Sequence, residues 1–319
     1  MINLVITGSH LTPAEALIET LPAGFKVHRI SSPDGPKFKR YDWWGSLGGL
    51  IKLPGLVGRA KTSLQLIKAD AVVSFGGFSS VPVCLAAKWL GLPLLVHEQT
   101  FGAGLAAKIT GPLADIVAIS WKSSFKYFSR QKTFLIGNPL RREILKVARL
   151  VKPVIYIGGG HQGSQIINET VAAVIDQILA KATVYHQFGR LRRPTARQNY
   201  LTKPYFRVKE LAKIYAQAQV VVSRAGINTV TELAYLKIPA VLIPLPYTQK
   251  NEQAVNARYL EKLGLAVVLP QDQLTPEKLL AAIGQAATLR AAGKIFPRER
   301  VKNAAKNLCR LVVKLSRET

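Results

Sequence analysis

Between residues 219 and 256 lie an arginine, a glycine turn, a carboxylate and two amides close together in sequence, Arg224, Gly226, Glu232, Gln253 and Asn256. A phosphate, a sugar hydroxyl and an amide-sized group are the partners such side chains serve. The segment 220–222 is β-branched and apolar without alternation, which predicts a strand buried on both faces. It breaks at Gly226 and resumes at helical spacing through Val230, Leu233 and Ala234, after which 240–243 reads as another buried strand. Thr229 and Glu232 have the spacing of a capping box, which predicts a helix start beside Gly226. Such a start carries roughly half a positive charge and suits a phosphate. Glu252 opens a helical stretch on which Gln253 and Asn256, three apart, share a face. Together these residues predict a pocket for a nucleotide that carries a polyhydroxylated group.

Strands must hold these loops in place. Apolar runs at 2–7, 26–30, 71–75, 93–97, 115–119 and 133–136, and again at 153–157, 183–188, 219–222, 240–243 and 265–269, alternate with helical or loop stretches. That alternation predicts two doubly wound parallel sheets, an α/β architecture of two Rossmann-like domains facing a cleft. The expected division is 1–148, completed by a C-terminal helix within 298–319, and 149–297. The tail itself is basic and amphipathic, with Val301, Ala305, Leu308, Val312 and Leu315 on one stripe. Ligands of such sheets sit beyond the carboxyl ends of the strands, so the loops there are the candidate sites.

The first strand ends in Thr7, Gly8, Ser9 and His10, and a histidine at that edge suits a general base near neutral pH. The third ends before Gly76, Gly77 and Phe78, where paired glycines permit either a phosphate approach or a tight turn. The fourth ends in His97, Glu98, Gln99 and Thr100. Glycines at 158, 160 and 163, with His161 and Gln162 between, spell the dinucleotide glycine pattern. No acid ends the following strand for a ribose, and Asp176 falls inside a helix, so the loop reads as a phosphate or interdomain loop. Arg141 and Arg224 are the candidates to neutralise a diphosphate. No Asp-x-Asp pair or His/Cys cluster exists, so neither metal nor cofactor is expected.

Lys+Arg 44 against Asp+Glu 18 gives a net charge of +26, which predicts a polyanionic partner. No nucleic-acid module or basic–aromatic interleaving is present, so nucleic acid is not expected. Residues 37–68 offer an alternative in an anionic membrane surface. There Trp43, Trp44, Leu50, Ile51, Leu53 and Leu56 lie among Lys37, Lys39, Arg40, Lys52, Arg59 and Lys61. The stretch is too interrupted by glycine and proline to span a bilayer, and no transmembrane segment or leader is expected. Two cysteines without metal-ligand spacing fit a reducing compartment.

The ordered set Thr7–His10, Gly76-Gly77-Phe78, His97-Glu98-Gln99, Gly137-Asn138-Pro139-Leu140-Arg141, Gly159-Gly160-His161-Gln162-Gly163, Asn168, His186-Gln187, Ser223–Gly226, Thr229, Glu232 and Gln253–Asn256 resembles the MurG family across nearly the whole chain. Those enzymes are the undecaprenyldiphospho-muramoylpentapeptide β-N-acetylglucosaminyltransferases of peptidoglycan synthesis. The resemblance implies a GT-B fold and inverting transfer of GlcNAc from UDP-GlcNAc to the muramoyl C4 hydroxyl of lipid I. It implies a peripheral enzyme on the cytoplasmic side of the cell membrane, alongside other cell-wall synthesis enzymes. On matching positions, the backbone of Val208 would meet uracil, Glu232 the ribose, the Gly226–Thr229 helix end with Ile227 and Asn228 the diphosphate, and Gln253 the GlcNAc, with Val230 and Thr231 also among the substrate-binding residues. His161, Gln162, Gly163 and Asn168 would complete the donor side. Thr7 to His10, Gly76 to Phe78, Glu98 and Thr100 would form the lipid I side, with His10 or Glu98 as base. Ser9, Phe78, Thr100, His161 and Ala225 differ from the family's usual residues. A transferase for another UDP-sugar or lipid-linked acceptor, and an inactive membrane-bound scaffold, remain the alternatives on these residues.

Overall fold

The computed structural model describes residues 1–30, 43–160, 162–247, 251–291 and 296–317, with backbone alone for 43–51. The chain divides into two compact units, Met1–Arg141 with Glu299–Thr319, and Arg142–Arg298. Unit 1 opens with β1 (Ile2–Thr7), α1 (Leu11–Ile18), β2 (Phe25–Ile30), α2 (Trp43–Ile67) and β3 (Ala71–Ser74). It continues through α3 (Val81–Trp89), β4 (Leu94–Glu98), α4 (Leu105–Thr110), β5 (Ile116–Ile119) and β6 (Thr133–Leu135). Unit 2 contains α5 (Arg142–Leu145), β7 (Val154–Gly158), α6 (Gln165–Leu179), β8 (Thr183–Gln187), β9 (Tyr200–Lys203) and α7 (Val208–Gln217). It ends with β10 (Ala218–Ser223), α8 (Ile227–Leu236), β11 (Ala240–Leu242), α9 (Glu252–Lys262), β12 (Ala266–Val268) and α10 (Pro276–Thr288). The last helix, α11 (Arg298–Leu315), packs on unit 1.

Each unit holds a six-stranded sheet, ordered β2-β1-β3-β4-β5-β6 and β12-β11-β10-β7-β8-β9, and every strand pair is parallel. The physical reason is visible in β1. Leu4 and Ile6 point into a core made with Ala14 and Leu17 of α1 and Leu308 and Val312 of α11, while Val5 points into a second core with Leu64 of α2 and Val83 of α3. Both faces are covered, so Leu4, Val5 and Ile6 are apolar in succession and do not alternate. In unit 2, Ile167, Val171, Val174 and Ile178 of α6 recur at helical spacing and meet Ile155 and Ile157 of β7 and Val220 and Val222 of β10.

One strand escaped the sequence reading. β9 is an edge strand, bonded to β8 alone, and its burial pattern shows three of four residues partly or fully exposed. A short half-wet edge carries no continuous apolar run to detect. The interrupted 43–68 stretch is also one continuous helix despite Pro54, because its far half is anchored by Val57, Ala60 and Leu64 in the core. Packing overrides the lost backbone bond.

Leu308 is fully buried between α1 and the unit 1 sheet. Leu308→Ala is expected to cost about 2–5 kcal/mol in unfolding free energy. Urea denaturation followed by circular dichroism measures it; a loss below about 0.5 kcal/mol would show that α11 is dispensable to the core.

Candidate functional site

In unit 2 the chain runs from β7 outward through β8 and β9, then returns to place β10, β11 and β12 on the other flank of β7. β7 and β10 are therefore neighbours, with Ile157 beside Val222 and Gly158 beside Ser223, yet their following loops depart in opposite directions. A crevice must open at their carboxyl ends. A pocket of about 560 Å³ lies there, lined by Gly159–Gly160, Gln162–Ile166, Ser223, Arg224, Gly226, Thr229, Leu245 and Gln253. Two helices begin at it. α6 starts after Ser164 and α8 after Gly226, and neither N-cap makes a side-chain capping bond. First-turn N–H groups have no partner within their own helix, so two positive helix ends converge on one pocket. Such an arrangement is suited to an anion such as a diphosphate.

The start of α8 corrects the capping-box expectation. Gly226 is the N-cap, and Thr229 and Glu232 lie inside the helix at its third and sixth positions. Glu232 is buried, and with Ile227, Asn228, Val230 and Thr231 it lies outside the pocket lining. Thr231 donates its hydroxyl to Ile227 O within the helix at 2.7 Å.

Several of the expected ligand residues also brace the loops around the pocket. Arg224 is 9% exposed, and its two terminal nitrogens donate to Ile243 O at 3.1 Å, Ser164 Oγ at 2.7 Å and Gln271 Oε1 at 2.7 Å. Its fork is occupied in tying β10 to the start of α6, so it borders the pocket without offering a free bidentate face. Asn256 is fully buried and donates to Ala225 O at 2.9 Å, which fixes the loop before α8 from α9. It shares the helix with Gln253, but only Gln253 lines the pocket, where its Oε1 accepts from Leu245 N at 2.9 Å. Glu252 is the first residue of α9 and stands outside the lining.

Asn168 lies behind the pocket. Its amide donates to Phe188 O at 3.1 Å, and its Oδ1 meets His186 Nε2 at 3.1 Å. An amide oxygen can only accept, so Nε2 carries the proton and Nδ1 accepts from Tyr200 Oη at 2.6 Å. Burial lowers the His186 pKa to about 4, which keeps this relay neutral. Gln187 crosslinks two loops of the unit. Its Nε2 donates to Gly160 O at 3.1 Å and its Oε1 accepts from Phe206 N at 3.1 Å. It joins the glycine loop to the approach of α7, whose first residue is Val208. Gly163 sits at φ +84 with a would-be Cβ against Phe188 O, so only glycine lets the loop lie this close to β8. His161 lies outside the described residues. Ser164, Gln165, Ile166, Ser223 and Leu245 line the pocket without having been singled out. A serine before an apolar helical run was the available signal for Ser164.

Unit 1 repeats the geometry. The reversal falls between β1 and β3, which pair with Thr7 beside Ser74. Their loops touch through backbone: Ser9 N donates to Gly76 O at 3.0 Å and Phe75 N to Thr7 O at 2.8 Å. A Cβ on Gly8, whose φ is +122, would lie 2.6 Å from Gly76 O, so this contact requires glycine. Gly77 precedes the short 3₁₀ turn Phe78–Ser80. His10 is the N-cap residue of α1, with its ring beside Gly76. Burial lowers its pKa to about 4, so the imidazole is neutral and able to accept a proton over the physiological range. His97 lies deeper, bonded to Ser120 Oγ at 3.2 Å, with a pKa lowered to about 3 by burial and then by His10.

Glu98 is a different case. Its Oε1 accepts from Thr100 N at 2.8 Å and Thr100 Oγ1 at 2.7 Å, and its Oε2 from Gly104 N at 2.9 Å. Burial raises its pKa while these bonds oppose the shift. Both oxygens are engaged in shaping the 98–104 loop. Arg141 is buried, with Nη1 4.0 Å from Glu15 Oε2.

The 43–68 segment divides. Leu53 packs against the unit 1 core, which corrects its expected outward role, and Leu56 is half-buried. The side chains of Trp43, Trp44, Leu50 and Ile51, and residues 37–42, lie outside the described residues. Beside this helix, Trp89 is 69% exposed and carries Lys61 Nζ 4.6 Å from its ring centroid. Among the described residues no helix is long and apolar enough to cross a membrane.

Residues 15–119 match the glycosyltransferase family 28 N-terminal domain, and residues 154–308 the family 28 C-terminal domain. The UDP-N-acetylglucosamine–N-acetylmuramyl-(pentapeptide) pyrophosphoryl-undecaprenol N-acetylglucosamine transferase of Clostridium botulinum (strain Langeland) is 30% identical over 98% of this chain and 97% of its own length. The protein of the same description from Trichodesmium erythraeum (strain IMS101) is 32% identical over 86% of this chain and 79% of its own. The crystal structure of Acinetobacter baumannii MurG superposes with a TM-score of 0.70 at 24% identity, over 98% of this chain and all of that one, and shares the GT-B fold. The matches span both sheets and both sets of switch-point loops, and the chain belongs to the MurG family of family 28 glycosyltransferases.

Proposed function

We propose that the protein transfers GlcNAc from UDP-GlcNAc to the C4 hydroxyl of the muramoyl group of lipid I, forming lipid II with inversion and without a metal ion. The observation that carries this reading is the unit 2 pocket, where two helix starts and Gln253 converge at the strand-order reversal. The relatives' printed names supply the donor and acceptor. The diphosphate would lie between Ser164–Ile166 and Gly226–Thr229, where backbone N–H groups take up the charge that develops on UDP. The helix ends at this pocket would provide the positive potential that balances the diphosphate. Gln253 would orient the GlcNAc, the backbone at Val208 would read uracil, and Glu232 would serve the ribose. Thr7 to Ser9, Gly76 to Phe78 and Arg141 would hold the acceptor.

In the proposed step the C4 oxygen bonds to the anomeric carbon as the bond from that carbon to the UDP oxygen breaks. The hydroxyl proton passes to His10. His10 is favoured over Glu98 because its ring is neutral at the reversal between β1 and β3, whereas both Glu98 oxygens already accept from Thr100 and Gly104. Glu98 and Thr100 then act as positioning residues. The exposed Trp89 and Lys61 pair beside α2 supports peripheral attachment at the cytoplasmic membrane face.

UDP release from UDP-GlcNAc with a short-chain lipid I analogue, without added metal, tests the reading. His10→Ala should lower kcat by about 10²–10⁴ with an unchanged donor Kd. Because His10 accepts a proton only when neutral, wild-type kcat/KM should stay level from neutral pH down to about 5. It should then fall tenfold per pH unit below about 4. Undiminished turnover in His10→Ala would remove it as the base. Gln253→Ala should raise the KM for UDP-GlcNAc about five- to tenfold while the Kd for UDP stays within about twofold, as expected for one lost hydrogen bond to the sugar. Gln187→Leu, which orphans Gly160 O and Phe206 N, should weaken UDP itself about tenfold or more by calorimetry.

A further inference from the structure

We propose that the β9 edge of unit 2 is a contact surface for an anionic lipid bilayer, separate from the α2 region of unit 1. Residues 181–213 carry nine Lys and Arg against one acid, Glu210, whereas the whole of 142–298 carries 22 against 9. All nine are exposed. Arg197 pairs with Asp176 at 2.8 Å and Lys203 with Glu210. Arg192, Arg193 and Lys213 have no acidic partner among the described residues. Two grooves of about 770 and 580 Å³ share Arg193 and Tyr200, which makes the basic surface continuous across the edge strand.

Charge on an edge strand can simply block strand-to-strand association. That role needs one or two residues and leaves the apolar side chains among them unexplained. Leu191 is 37% exposed, Leu201 45% and Tyr205 46%, all interleaved with the arginines and lysines. Apolar side chains amid basic ones are what an anionic bilayer interface binds. Single-stranded nucleic acid is gripped by successive aromatic faces presented for stacking, and in 181–213 Tyr205 is the one exposed aromatic while Phe188, Tyr200 and Phe206 are buried. The choice of a bilayer over another polyanion rests on the lipid-linked acceptor proposed above.

The test uses the full-length protein and flotation with phosphatidylcholine vesicles, with and without phosphatidylglycerol. Each basic residue near an anionic surface strengthens binding about fivefold. The Arg192→Gln/Arg193→Gln/Lys213→Gln variant should therefore bind the mixed vesicles roughly tenfold or more weakly, with a shallower salt dependence. Its Kd for UDP-GlcNAc should match wild type, which confirms an intact unit 2. Leu201→Ser should weaken the binding that persists at high salt. Wild-type affinity for mixed vesicles in the triple variant would overturn the proposal, as would tighter binding of a single-stranded polynucleotide than of those vesicles at equal salt. Absence of UDP-GlcNAc binding by wild type would instead count against the transferase reading and leave the vesicle result independent.

Discussion

A parallel sheet whose strand order reverses beside its first strand cannot close its own carboxyl edge. In unit 2 the chain leaves β7 towards β8 and leaves β10 towards β11, and the two departing loops separate. In unit 1 the same happens between β1 and β3. Since helices follow both strands, their N-termini border each gap, and the exposed N–H groups make it electropositive. The pocket, the glycine loops and the position of His10 all follow from that reversal.

Most of the polar residues around these gaps hold the loops. Backbone loops carry N–H and C=O groups that must be satisfied once buried, and side chains reaching across from neighbouring elements do this. Arg224 joins β10 to α6, Asn256 joins α9 to the α8 loop, Gln187 joins the glycine loop to the approach of α7, and Glu98 shapes its own loop through Thr100 and Gly104. What remains for a ligand is largely backbone, which is rigid and already oriented, so little reorganisation accompanies charge development.

Electrostatics work on two scales. Inside, burial holds His10, His97 and His186 neutral at physiological pH. Outside, the chain's net charge of +26 sets which partners attract it without deciding its fold, and most Lys and Arg among the described residues face solvent. The concentration of that charge at β9 could be read only after the strand was located at an edge.

The two doubly wound sheets were legible in the sequence because strands buried on both faces read as unbroken apolar runs, separated by helical spacing. The edge strand Tyr200–Lys203 was not, because it is half in water and leaves no such run. The residue types of the site were equally visible: glycines where φ is positive at Gly8 and Gly163, a histidine after β1, amides on α9. Their roles were not. Thr229 and Glu232 have capping spacing, and the helix does start beside Gly226, but Gly226 itself is the N-cap and the other two lie inside the helix. Arg224, Asn256 and Glu98 look like ligand groups in sequence, and in space each also braces a loop. Spacing along a chain fixes which residues share an element's face; what a buried polar group bonds to is settled by the elements packed against it, and those are distant in sequence.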